Sequence, residues 1–558
     1  MTETLSGDQA RDIAKEWLEC EPDLKNREEI EALLAGPESE LIQRFTGHLE
    51  FGTAGLRGPL GAGPQRMNRP LVQMTAAAIA QRLLEDDQKE SPLVVIGFDA
   101  RKQSDVFASD TARVLANQNI RCVLLPRALP TPVLAFSVLQ INASAGIMVT
   151  ASHNPRQDNG YKVYWKDGAQ INTPLDKEIS TYLDGIKPNE VKLAPLDSPL
   201  ITFDEGNLLE QYLDMAVSCV SKFPNSELKI MYTPIHGVGK DTLIEAFTKS
   251  GFSSVDVVTE QADPDPDFPT VEFPNPEVPG TLDLALAEAK KMHADLVLAN
   301  DPDADRLAVV VPDGETWRTF NGNEIGALLA EHLLRSSEGS DRLVVTTIVS
   351  SRMLKEIAKH HGVHYEETLT GFKWIMRPGI DSREKNFIFG YEEALGFAVG
   401  DHVHDKDGIT SALVFAELAA EAKQQGKSVV DCLHDLWVRH GVHVTGQITH
   451  RFEGSEGADV MMQIMNLIRQ NPPQKIGSCD VEEVTDFLSQ ESGLPPTNAV
   501  ALETGQSRVV VRPSGTEPLI KIYAEVVTPV GDQGVDEAQK LAETELEDAL
   551  KSVSDLLG

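Results

Sequence analysis

One pattern recurs three times along this chain. "AGIMVT" (145–150) runs into the polar loop "ASHNPRQDNG" and then "YKVYWKDG". "ADLVLA" (294–299) runs into "NDPDADR" and then "LAVVVPDG", and "KNFIFG" (385–390) runs into "YEEALG" and then "FAVGDHVHDKDG". Each time a short apolar strand opens into a polar loop, and a second segment reaches Asp-Gly, a strong hairpin signal. The repeat predicts three related α/β units, each presenting one polar loop from the end of a strand. Ligands in such sheets sit outside the carboxyl ends of strands, so the three loops would face one cleft.

The flanking segments agree. "PLVVIGFDAR" (92–101) reads as a buried strand, 104–118 as a helix and "RCVLLP" (121–126) as another strand, an alternation typical of parallel sheets. Residues 1–50 read as acidic amphipathic helices, one ending on Gly36. The last hundred or so residues differ: "HVTGQITHRFEG" and "SRVVVRPSGTEPLIKIYAEV" read as strands. A closing helix over about 533–557 carries Val535, Ala538, Leu541, Ala542, Leu546, Ala549, Leu550, Val553 and Leu557 at helical spacing. The expected domains are 1–200, 201–320, 321–440 and a smaller α+β domain at 441–558, with linkers near 186–205, 312–325 and 437–447. A chain of 558 residues has room for about three or four domains.

The formal net charge is −36, which argues against nucleic acid or an anionic membrane as the main partner. It does not exclude an anionic substrate, because a few Arg and Lys can set the local field of a cleft. Five scattered cysteines with no CxxC imply a reducing compartment without a disulfide framework or zinc knuckle. The N-terminus is polar and acidic with no apolar signal region, and no run is long enough to span a bilayer, so the expected location is cytoplasmic.

Four loops have the composition for chemistry. In "DPDADR", Asp301, Asp303 and Asp305 alternate, so in an extended loop their carboxylates point one way. Three such charges need a cation among them, and all-oxygen donors suit Mg²⁺. A solvated acidic turn is the plain alternative. An EF-hand fails because its sixth and twelfth positions are Arg306 and Pro312, and a haloacid-dehalogenase-type motif fails at Asp305. Arg306 itself could bind a phosphate oxygen beside the metal. In "RPSGTEP", Arg512 offers a planar fork for phosphate, Ser514 and Thr516 offer hydroxyls, and Gly515 lets backbone N–H groups turn inward. An ordinary Pro-Ser-Gly turn is the competing reading. In "GYEEALG", Glu392 and Glu393 suit sugar hydroxyls, or equally an acidic helix start. Ser152 in "ASHNPR" lacks the glycines of a nucleophile elbow and would otherwise cap a helix or a turn. Alternatively it carries a phosphoryl group, whose charge of about −2 would help coordinate a metal on the three aspartates.

"TASHNP", "DPDADR", "GYEEALG" and "RPSGTEP", in this order and at these intervals, resemble the α-D-phosphohexomutase family. "FGTAGLRG", "TPIHGVG" (233–239), "TGFKWI" (370–375) and the N-terminal extension look most like its branch of bacterial α-phosphoglucomutases and phosphopentomutases. The resemblance runs from about residue 50 to about residue 525. It implies three similar mixed α/β domains around a central cleft and a TATA-binding-protein-like C-terminal α+β domain. It implies Ser152 as the phosphoserine, with Asp301, Asp303 and Asp305 as Mg²⁺ ligands beside it. His153, Arg57 and Lys162 match positions near the phosphoserine, and Lys162 or Arg57 would move the proton of the attacking hydroxyl. Glu392 would hold sugar hydroxyls, with Glu393, Lys373 and Arg306 as further contacts. Arg512, Ser514, Gly515 and Thr516 would hold the non-reacting phosphate. Ala394 departs from the serine of many members, which leaves the sugar open.

The expected activity is interconversion of glucose 1-phosphate and glucose 6-phosphate, with glucose 1,6-bisphosphate as primer and intermediate. The same chemistry on mannose or pentose phosphates, a metal-dependent sugar phosphatase and a non-catalytic sugar-phosphate sensor are the alternatives.

Overall fold

The computed structural model describes residues 5–52, 55–86, 91–221, 227–382, 384–452, 457–489, 492–514 and 518–557. The chain divides into two compact units, residues 1–312 with 396–417 and residues 313–395 with 418–558.

The first unit holds two sheets. The larger contains β1 (Phe51–Gly52), β2 (Gly55–Pro59), β3 (Leu93–Phe98), β4 (Arg121–Leu124), β5 (Ala145–Val149), β6 (Asp158–Trp165) and β7 (Ile201–Phe203), in the order β1-β2-β6-β5-β3-β4-β7. β3 runs parallel to β4 and β5, with helices Ser104–Asn117 and Thr131–Gln140 as the crossovers; β6 returns antiparallel beside β5. The fully buried run of β5 explains its unbroken apolar sequence. The smaller sheet pairs β8 (Ile230–Thr233), β9 (Val255–Val257) and β10 (Leu296–Ala299) in parallel, and β11 (Ala308–Asp313) returns antiparallel on β10.

Three helices, Gly7–Cys20, Leu24–Ala35 and Glu38–Phe45, precede the first sheet. Ser6 and Gln9 form a reciprocal capping box on the first, and Asp23 caps the second. Ala10, Ala14, Trp17, Ile30, Leu41 and Phe45 share one core with β3 and β5, so the acidic N-terminal segment is part of that domain's interior.

The second unit holds two larger sheets and the two-stranded pair Lys475–Ile476 and Cys479–Asp480. Arg342–Thr347 pairs in parallel with His364–Thr368 on one side and Asn386–Glu392 on the other. The C-terminal sheet is antiparallel, with Val442–Arg451, Leu519–Thr528, Ser507–Pro513, Val500–Glu503 and Glu483–Asp486 in that order. Helices Gly457–Gln470 and Val535–Ser554 bury Met461, Met465, Ile468, Ala549 and Val553 in the core of this sheet. Three α/β sheets followed by an odd antiparallel one is the architecture expected from the repeat.

The expected linker at 437–447 is instead continuous structure: Val429–His440 is helix, and the next strand starts at Val442. The third Asp-Gly is likewise no hairpin. Asp407 Oδ1 accepts from the backbone N–H of Ile409 (2.9 Å) and Thr410 (3.1 Å) and so starts the helix Gly408–Gln424. Asp-Gly suits a turn and a helix start alike, and the following "ITSALVFAELAAE" is buried helix.

A charged hub ties the two larger sheets of the second unit together. Glu525 is buried and accepts from Ser351 Oγ (2.5 Å), Arg352 Nε (2.7 Å) and N–H (3.0 Å), and His443 Nδ1 (2.9 Å). Burial alone would raise its pKa, but the hydrogen bond and charge of His443, then Arg352 and Ser351, outweigh it and take Glu525 down to about 2. The folded value lies below the ordinary 4.5, so this stabilisation is complete above about pH 4.5 and is lost as pH falls toward 2. Acid unfolding followed by calorimetry should show that loss in the wild type and not in Glu525→Gln. Glu525→Ala, which strands four donors from three residues, should cost about 3 kcal/mol or more at neutral pH.

Candidate active site and metal centre

The loop after β5 is built around Ser152. Its backbone takes φ 52, the left-handed region that a serine rarely occupies, and its side chain is buried rather than capping a helix. Two buried residues from the end of β3 hold it there. Asp99 accepts from Thr150 Oγ1 (2.6 Å) and Ser104 Oγ (2.7 Å), and Thr150 Oγ1 in turn accepts from the Ser152 N–H (2.9 Å). Arg101 donates to the carbonyl oxygens of Ser152 (2.6 Å), Asn154 (2.5 Å), Pro155 (2.9 Å) and Asp158 (3.1 Å).

Ser152 Oγ lies 3.1 Å from His153 Nδ1 and donates to Asp301 Oδ2 at 2.7 Å. Asp301, Asp303 and Asp305 are fully buried, and one oxygen of each lies within 4.8 Å of the others. Their convergence has a different cause from the extended loop expected from the sequence. Ala304 takes φ 56 and its N–H bonds Asp301 O (2.9 Å), so the loop is a tight turn that folds the carboxylates inward. "TPIHGVG" backs that turn: the Val238 N–H donates to Pro302 O (2.8 Å), and a Cβ on Gly237 would lie 2.4 Å from Pro302. Gly408 is equally confined, since its Cβ would lie 2.3 Å from Arg306 O.

The charge distribution is uneven. Lys162 is fully buried and donates to Asp303 Oδ2 (2.7 Å) and Asp305 Oδ2 (2.6 Å). Lys406 reaches Asp305 Oδ2 at 2.9 Å, and Thr131 Oγ1 donates to Asp303 Oδ2 at 2.6 Å. Burial opposes ionisation of Asp305, but Lys162, Lys406 and Arg306 hold it below the usual carboxylate range. Asp303 is held low against its own burial and Asp305 by Lys162 and Thr131. Asp301 is driven well above the usual range by burial and by repulsion from the other two. His153 is pushed well below the ordinary imidazole value by burial, then by Arg306 and Arg57. Arg57 donates to Asn154 Oδ1 (3.4 Å), and its buried Nε has no hydrogen-bond partner among the described residues.

The triad fits a cation. Among the described residues, Asp303 Oδ1 and Asp305 Oδ1 are buried without a hydrogen-bond donor, and the three acids face two lysines in direct contact. All donors are hard oxygens, as a divalent cation such as Mg²⁺ prefers. Among the described residues no other group of His, Cys, Asp or Glu offers three such ligands.

The remaining expected residues belong to the second unit. Glu392 ends the strand Asn386–Glu392, which removes the helix-start reading of "GYEEALG". Glu393 Oε2 lies 3.4 Å from Thr347 Oγ1 and 3.3 Å from Ser350 Oγ. Lys373 sits on the short helix Phe372–Ile375, and Arg512 lies in the strand Ser507–Pro513. The Ser514 N–H bonds Leu519 O at 2.8 Å. Gly515 and Thr516 lie outside the described residues.

Sequence reasoning missed Asp99, Arg101, Thr131, Thr150 and Lys406. "FDAR" read only as a strand end and "DKDG" only as a hairpin, although a Lys between two buried acids was a visible signal.

Four sequence models match in chain order. They are the phosphoglucomutase/phosphomannomutase alpha/beta/alpha domains I (residues 48–190), II (210–314) and III (321–440) and the C-terminal domain (465–543). The chain belongs to the phosphoglucomutase/phosphomannomutase family, the α-D-phosphohexomutases. It is 41% identical over 464 residues to a protein of Haemophilus influenzae named "probable phosphomannomutase", covering 82% of this chain and 92% of that one. A Staphylococcus aureus phosphoglucomutase is 35% identical over 524 residues (90% and 94% covered). A mouse phosphopentomutase is 35% identical over 575 residues (94% and 91% covered). The solved open form of Paramecium pp63/parafusin, a phosphoglucomutase, shares the fold with TM-score 0.69 at 19% identity, covering 91% of this chain and 95% of that one. Membership makes the chain an enzyme, a mutase of the isomerase class. No helix among the described residues is long and apolar enough to cross a membrane.

Removing one acid should expose the metal role without turnover. Asp303→Asn is expected to weaken Mg²⁺ binding by at least about tenfold in isothermal titration calorimetry, and unchanged affinity would move the cation elsewhere.

Proposed function

We propose that this phosphohexomutase interconverts glucose 1-phosphate and glucose 6-phosphate through a phosphorylated Ser152. The observation that carries the reading is the 2.7 Å contact from Ser152 Oγ to Asp301 inside the buried triad. A phosphoryl group on that oxygen brings a charge of about −2, which Lys162, Lys406, Arg57 and Arg306 help to balance. Bound at the triad, Mg²⁺ supplies charge neutralisation for the phosphoryl group in transit.

The chemistry balances without net hydrolysis. The free hydroxyl oxygen of the sugar 1-phosphate forms a bond to phosphorus as the bond to Ser152 Oγ breaks. Lys162 or Arg57 would help move the hydroxyl proton. The resulting glucose 1,6-bisphosphate reorients; its C1 oxygen–phosphorus bond breaks as that phosphorus bonds Ser152 Oγ, and the C1 oxygen takes up the proton, leaving glucose 6-phosphate and the phosphoserine. Positioning and charge stabilisation supply most of the catalysis in such transfers. In this reading Glu392 and Glu393 accept from sugar hydroxyls, Lys373 and Arg306 add contacts, and Arg512, Ser514, Gly515 and Thr516 hold the phosphate that stays. The burial of Ser152 supports protection of a phosphoserine from water. The domains follow as 1–200, 201–320, 321–440 and 441–558, and the reaction is assigned to the cytoplasm.

A second reading is the same chemistry on mannose 1-phosphate. It is favoured by the name of the Haemophilus influenzae relative and by Ala394, which lacks the hydroxyl many members place near the sugar.

Phosphorus NMR with Mg²⁺, a trace of glucose 1,6-bisphosphate and glucose, mannose or ribose 1-phosphate separates these readings. The glucose 1-phosphate signal should give way fastest to glucose 6-phosphate. Faster mannose or ribose conversion would change the substrate, and release of inorganic phosphate alone would replace the mutase with a phosphatase. Ser152→Ala should lose mutase turnover by at least about a thousandfold, as expected when a nucleophile is removed; near-normal turnover would sink the carrier role.

A further inference from the structure

The Pro-rich segment 263–280, "DPDPDFPTVEFPNPEVPG", has no part in the motifs above, yet it touches the Ser152 machinery. Phe268 is buried and takes φ 45, a left-handed conformation that is an outlier for a bulky residue. The segment is pinned on both sides of it. The Asp265 N–H bonds His236 O (3.0 Å), and Thr270 Oγ1 accepts from Gln261 Nε2 (2.9 Å) and lies 2.9 Å from His236 Nε2. So anchored, the Phe268 ring lies over Arg101, its centroid 5.1 Å from Cζ. Asp267 pairs with Lys102 next to Arg101, and Glu277 accepts from Arg306 Nη1 at 3.2 Å.

We propose that Phe268 is a positioning residue for Ser152, acting through Arg101. A guanidinium donates only in its plane, and its faces are free to stack. Arg101 spends its in-plane Nη donors on four carbonyls of the Ser152 loop. The ring on its face fixes that plane, and with it the direction in which Ser152 Oγ is presented to Asp301. The attraction of cation to ring quadrupole is what a branched aliphatic of similar size would lack. Backbone strain at Phe268 persists because its surroundings over-determine it, consistent with a ring whose place matters.

The proposal rests on Ser152 as the phosphoryl carrier, and two variants with two readouts test them separately. Phe268→Leu keeps apolar bulk without the ring, and Phe268→Tyr keeps the ring. In the full-length protein with Mg²⁺, glucose 1,6-bisphosphate should phosphorylate Ser152 about tenfold more slowly in Phe268→Leu. The kcat should fall with it, while KM for glucose 1-phosphate stays within about twofold, as expected for an effect on the reacting group rather than on binding. Phe268→Tyr should restore both. Backbone amides of 150–159 should exchange faster with deuterium in Phe268→Leu, and those of 442–452 should not. Wild-type phosphorylation in Phe268→Leu, a change confined to KM, or no rescue by Phe268→Tyr would overturn the proposal. If the wild type acquires no phosphoserine, the carrier reading falls, and the exchange comparison alone decides the clamp: unchanged exchange at 150–159 refutes it.

Discussion

Three carboxylates within 4.8 Å of one another, all shut away from solvent, are the constraint on which the first unit depends. Like charges at that distance in a low-dielectric interior repel strongly unless cations sit among them. The fold answers with two buried lysines from distant parts of the chain. Lys162 arrives on β6, and Lys406 comes from the segment just before the helix Gly408–Gln424. The lysines take one oxygen each of Asp303 and Asp305 and leave the other without a donor among the described residues. The cluster is therefore partly compensated and partly unsatisfied, and Asp301 completes it by meeting Ser152.

Holding Ser152 at that meeting point is a separate task, done mostly by backbone recognition. Thr150 and Arg101 read amide and carbonyl groups of the loop, and Asp99 holds the Thr150 hydroxyl in place. Left-handed residues on both sides, Ser152 and Ala304, show where strain is concentrated. Strain of this kind survives only when the surrounding bonds over-determine it. In the second unit a comparable density of charge serves cohesion: Glu525 joins two sheets through Ser351, Arg352 and His443, beside an apolar contact of Ile348, Val349 and Leu369 with Phe487, Val510 and Tyr523.

Much of the candidate site was legible because its residues sit in short, unusual loops. "TASHNP" and "DPDADR" break an apolar run with several functional side chains at once, and that local density can be seen without a structure. Asp99, Arg101 and Thr131 stand in segments whose composition is that of any strand end or helix start. Their significance lies in partners far along the chain, such as Thr131 with Asp303. Lys406 was hidden for another reason. Asp-Gly after it suited a hairpin, and only the burial of "ITSALVFAELAAE" as a helix reveals Asp407 as its start and Lys406 as a buried charge.

By itself the sequence determined the repeat of strand and loop, the odd C-terminal sheet, the identity of the acids and the serine, and the family. These follow from local periodicity and from side-chain chemistry at short spacing. Tertiary structure decided which charges are buried together, which oxygens are left without donors, and which way the loops turn. Alternation alone predicted that the three aspartates share a direction; a tight turn at Ala304 backed by Gly237 is what makes them converge. Burial is the physical reason for the difference. A carboxylate in water is an ordinary surface group, and only the packing of β5, β10 and the loops that follow them converts three of them into a buried acidic cluster facing a serine.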